Sequence, residues 1–168
     1  MTISMYQASL PMFVRMLRNL DAILAKGAVH AEAKKIDPAV LVASRLYPDM
    51  FTLARQVQIA TDIVKGCAAR LSGQEPPKYE DNETSFPELA ERVQKTIAFL
   101  ETVKPEQIDG TEDKQITLNM RSGDLTFDGL SYLTGFVIPN FYFHLTTAYN
   151  ILRHNGVELG KMDFLGKP

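Results

Sequence analysis

The stretch that most constrains this chain runs from Pro139 to Gly166. Within it Phe141, Leu145, Ala148 and Leu152 recur at intervals of four, three and four, which lays an apolar stripe along one side of a helix. His144 sits beside that stripe. Arg153 and His154 fall in the last turn and Gly156 follows, so cations meet the negative helix end and a glycine stops it. Pro139 either opens this helix or kinks one that begins near Gly129 and Leu130. A helix with one wet face and one apolar face must pack on others, so the question becomes where its partners lie.

Three more such stretches are legible. Ser4 followed by Gln7 resembles a capping box, opening a helix through Phe13, Leu17, Leu20 and Leu24 to Gly27; Pro11 inside it marks a later start or a kink. Residues 28–47 read as a connector with one short helical piece, Asp37-Pro38 through Leu41. A second long helix is predicted from Pro48-Asp49 to Leu71, with Gly73 as its stop, and its inward face reads Leu53, Gln56, Val57, Ala60, Val64, Cys67, Leu71. Gln56 is the polar exception there. After a loop rich in proline and polar residues, 74–84, Ser85 caps a third helix carrying Leu89, Val93, Ile97 and Leu100 and ending before Pro105. From Lys114 to Phe127 the period drops to two around Arg121-Ser122-Gly123, which predicts a small β-hairpin.

These elements fit a single all-α domain over residues 1–168: a four-helix bundle with a long crossover carrying the hairpin. A net charge of −2 supplies no basic face for nucleic acid. No segment approaches the roughly 18 apolar residues of a membrane span, and the lone Cys67 cannot form an internal disulfide, so a cytoplasmic protein is expected. The apolar tail after Gly156, with Val157, Leu159, Met162, Phe164 and Leu165, wraps its own bundle or lies across a second copy in a homodimer.

Three histidines are present. A site using all of them conflicts with spacing, since His144 and His154 lie about 15 Å apart along a helix and His30 falls in the connector. His144 opposite Gln56 admits three readings: a self-satisfied polar pair, the polar end of a small-molecule pocket that includes Asp49 and Tyr149, or a metal held by His144 with carboxylate help from Asp49, Asp62 or another chain. Asp62, Lys65 and Arg70 read as a solvated face, and Cys67 as a small buried apolar residue. Gly160-Lys161 lacks the spacing and the preceding strand of a phosphate loop.

The segments Arg45-Leu46-Tyr47-Pro48-Asp49-Met50, Gln56 through Asp62 and His144 through Gly166 resemble an uncharacterised bacterial family catalogued as domain of unknown function nineteen-ninety-three, within the DinB/YfiT-like group of metalloenzymes. The resemblance covers nearly the whole chain, Met5 to Gly166. It implies a four-helix bundle with a long crossover, and a divalent metal on one histidine of the second helix and two, four apart, on the last. Here Gln56 stands in the first place, His144 in the second and Ala148 in the third, so one ligand of three survives. The function expected is therefore a metal-independent small-molecule-binding or stress-related DinB-like protein with a degraded metal site and no cofactor. The alternative is an enzyme: a metal-dependent hydrolase or transferase centred on His144, or a metal-free acid/base catalyst using that imidazole.

Overall fold

The computed structural model of the protein describes residues 2–120 and 123–166. Four long helices carry the core: α1 (Leu10–Lys34), α3 (Leu53–Ser72), α4 (Phe86–Thr102) and α7 (Ile138–His154). Short helices α2 (Pro38–Val42), α5 (Pro105–Ile108), α6 (Gly129–Ser131) and α8 (Lys161–Leu165) fill the connections. The crossover from α4 to α7 holds the hairpin, β1 (Ile116–Leu118) against β2 (Leu125–Phe127), paired antiparallel with Ile116 opposite Phe127 and Leu118 opposite Leu125. Its predicted turn at Arg121 and Ser122 lies outside the described residues. In the bundle α3 packs on α7 and α4, and α1 packs on α4. No helix among the described residues is long and apolar enough to cross a membrane.

Several boundaries differ from the sequence reading, each for a contact that local pattern does not show. The Ser4–Gln7 box forms, Ser4 N–H to Gln7 Oε1 at 3.1 Å, but closes one isolated turn; α1 starts at Leu10 with Pro11 in its first turn. Gly27 does not stop α1, which continues to Lys34 and ends on the left-handed Lys35 (φ 56°), so residues 28–34 are helix and not connector. The glycine is there for closeness: a Cβ would sit 2.9 Å from Phe86 Cε1 and 3.1 Å from Leu152 Cδ2. The second long helix begins at Leu53 and not at Pro48-Asp49. Thr52 Oγ1 accepts from Arg55 N–H, and the Arg45 guanidinium takes the carbonyls of Pro48 and Met50, which holds 48–50 in a turn.

Pro139 lies in the first turn of α7, but the helical backbone begins well before it. Between α6 and α7 lies a π-helical segment, Tyr132–Val137, and Ile138 N–H bonds back five residues to Leu133 O. A proline in an α-helix lacks the donor for the carbonyl four residues back and its ring crowds that carbonyl; the wider π turn removes both conflicts. The backbone is thus helical from Gly129 to His154. Leu10, Phe13, Leu17, Leu53, Val64, Leu89, Leu100, Phe141 and Leu152 form the centre of the core, each nearly or fully buried. The tail lies on its own bundle: Arg15 and Asn19 of α1 donate to the carbonyls of Leu165 and Phe164, and Lys26 pairs with Asp163 at 2.7 Å.

Candidate functional site

Gln56 from α3 and His144 from α7 meet between their helices. Both are buried, 1% and 7% exposed, and His144 Nδ1 lies 2.6 Å from Gln56 Oε1. The other end of the amide, Nε2, donates to Phe51 O at 3.3 Å. Reversing the amide would set two oxygens against each other there, so the hydrogen-bond network assigns Oε1 to the imidazole. An amide oxygen only accepts. Nδ1 therefore carries the proton, and the lone pair resides on Nε2. Among the described residues no buried side-chain nitrogen or oxygen is left unpartnered, and Nε2 takes no hydrogen bond from any of them. Nε2 is thus on the small part of His144 that solvent reaches.

Burial and then the positive charge of Arg55 push the His144 pKa below the ordinary imidazole value. A depressed pKa keeps the ring neutral near pH 7, with Nε2 an acceptor. Phe143 stands edge-on to the imidazole, ring centres 5.2 Å apart, and both Phe143 and Phe51 are more than half exposed.

Of the other residues expected here, neither Asp49 nor Tyr149 joins the pair. Asp49 is exposed in the turn before α3, and Tyr149 lies about 140° around α7 from His144, with its ring against Phe164 of the tail. Asp62 is also committed elsewhere, to Lys65 at 2.7 Å and Arg92 at 2.9 Å. Lys65 and Arg92 are 6% and 2% exposed, so the expected solvated face is in part a buried ionic network. Arg92 reaches Thr61 Oγ1, Asp62, Asp81, Glu83 and the carbonyl of Glu80, tying the 74–84 loop down onto α3. Asp81 also pairs with Arg55. Arg92 follows Leu89 by three and precedes Thr96 by four, a register on the inward face that could have marked it. Cys67 is buried as expected, its thiol pushed up to about 12 by desolvation, and is no nucleophile.

A groove of about 790 Å³ runs between α3, the π segment and β1. Gln56 meets His144 at one end of the helix pair, and Arg70 meets Tyr132 Oη at 3.0 Å at the other, so α3 and the last helix run antiparallel, with about 21 Å of α3 between Gln56 and Arg70. Ile59, Ile63 and Phe136 give the groove apolar surface; Arg55 and Asn140 line it one residue from Gln56 and one turn from His144. Tyr132, Phe136, Asn140 and His144 are spaced by four. Tyr132, Phe136 and Asn140 line the groove; His144, one turn beyond Asn140, lies outside its lining.

The donor set does not fit a divalent transition metal. The three places that the family resemblance assigns to ligands hold Gln56, His144 and Ala148; alanine has no donor, the amide oxygen is a weak one, and it already takes the Nδ1 proton. Among the described residues no group of three or more His, Cys, Asp or Glu side chains could hold an ion.

Comparison with known proteins gives the family and supports the fold. Residues 5–165 match the family model described as Domain of unknown function (DUF1993). The chain is similar to the crystal structure of a DinB family member protein from Shewanella denitrificans, with 44% identity and a TM-score of 0.91 over 97% of this chain and 92% of that one. No curated protein matches.

Proposed function

From the premise that this chain belongs to the DUF1993 family and shares the DinB-like bundle, we propose that it is a metal-independent binding protein for a small organic molecule. The molecule lies in the groove between α3 and the last helix and extends beyond Asn140 to offer a hydrogen-bond donor to His144 Nε2. The observation that carries this reading is the chain from His144 Nδ1 through the Gln56 amide to Phe51 O, which fixes the lone pair on the solvent-reached nitrogen. The groove's volume of about 790 Å³ falls within the range of ligand sites. A cytoplasmic setting belongs to the same proposal.

The test pairs metal analysis with ligand screening on untagged protein. The expected result is substoichiometric metal and a set of small molecules that raise the melting temperature of the wild type but not of His144→Ala. A stoichiometric, tightly held metal lost on His144→Ala would overturn it in favour of the metal-dependent hydrolase or transferase.

A further inference from the structure

The groove's charges identify one end of its ligand. Asp62 is taken by Lys65 and Arg92, and Arg55 by Asp81. Lys114 Nζ caps the end of α3, on the carbonyls of Arg70 and Leu71 at 2.8 Å each. Glu75 lines the groove without an ion pair among the described residues. Arg70 is different: it lines the groove, bonds Tyr132 Oη, and has no carboxylate partner among the described residues.

Arg70 is exposed, and its guanidinium lies along α3. A Cβ on Gly66 would lie 2.4 Å from Arg70 Nη1, so the side chain rests on α3 over a residue that has none. A glycine in the middle of a helix costs about 1 kcal/mol against alanine. Here it makes room for a guanidinium that bonds Tyr132 Oη at 3.0 Å, and a guanidinium has further N–H donors to offer an oxyanion.

We propose that the groove takes an elongated amphipathic organic anion, its carboxylate or sulfonate on Arg70 and its apolar body over Ile59, Ile63 and Phe136. This rests on the binding function proposed above and adds the ligand's charge and direction: the anionic end lies at the hairpin, and the donor end points to His144.

Two probes with related apolar bodies separate the claims: the aromatic sulfonate 8-anilinonaphthalene-1-sulfonate and the uncharged N-phenyl-1-naphthylamine, each titrated by fluorescence. Both bind the wild type if the inference holds. Arg70→Gln and Gly66→Ala each weaken the sulfonate at least about tenfold, the worth of one charge-assisted hydrogen bond, and leave the neutral probe unchanged. Phe136→Ala weakens both. Gly66→Ala serves as the second variant because it moves the guanidinium while raising helix propensity. Equal sulfonate affinity in wild type, Arg70→Gln and Gly66→Ala overturns the anion assignment, as does binding of the neutral probe alone, which leaves the groove reading standing. Failure of both probes to bind, or indifference of both to Phe136→Ala, removes the groove and the inference together.

Discussion

Replacing Gln56 with leucine removes the acceptor of His144 Nδ1–H and the donor to Phe51 O in a position 1% exposed. The bond to Phe51 O is long and only part-buried, so its loss is the smaller one. The imidazole is different. Its Nδ1–H faces the core and has nowhere to turn, and an unpaired buried donor costs about 1–3 kcal/mol. Switching the proton to Nε2 exchanges the orphaned donor for an orphaned acceptor at similar cost. In a chain of 168 residues that loss lowers the melting temperature by roughly 2–12 °C, at about 2–4 °C per kcal/mol. The decisive feature is the sign of the coupling. Removing both polar partners leaves no orphan, so Gln56→Leu/His144→Leu is expected to be more stable than Gln56→Leu alone, with an interaction energy of about 1–2 kcal/mol in a cycle measured by urea denaturation. Losses that simply add would show that the two side chains do not depend on each other, and the reasoning would fail.

Arg92→Met is expected to cost about 3–5 kcal/mol in the same denaturation assay, because it strands Glu83 and the polar groups of the loop against α3; a loss under about 1 kcal/mol would show that the network is only a surface ornament. The depressed pKa of His144 makes stability pH-dependent with a definite sign: the unfolded chain binds the proton more readily, so stability is present above the ordinary imidazole value of about 6.5 and is lost as pH falls from there through the folded value. Comparing wild type with His144→Leu between pH 7.5 and 5 isolates that slope, and an identical slope in both would contradict it.

The Gln56–His144 pair was legible because each is the polar member of an otherwise apolar helical stripe, and two such positions on packed helices tend to meet. The four long helices followed from the same periodicity. Their ends were not equally legible. Pro48-Asp49 is as good a local start signal as Thr52, and only the long reach of Arg45 back to the carbonyls of Pro48 and Met50 decides between them. Gly27 looks like a stop until Phe86 and Leu152 arrive against it. Arg92 and Lys65 are charges whose partners come partly from a loop, so composition alone places them in water. The groove depends on how the hairpin folds over α3 and on a π turn that Pro139 makes favourable, and neither is a property of a single segment. Asp49 lies exposed in the turn before α3 and Tyr149 packs on Phe164 of the tail, placements that depend on the packing and not on local pattern.

Everything proposed for the site rests on which imidazole nitrogen bears the proton. Two-bond proton–nitrogen correlation spectra of protein labelled with nitrogen-15 at histidine, recorded at pH 7 with and without a chelator, read that directly. The account predicts a neutral His144 ring protonated on Nδ1, with an unprotonated Nε2 whose shift the chelator does not change. A ring protonated on Nε2, or an Nε2 resonance that moves when metal is stripped away, would contradict it.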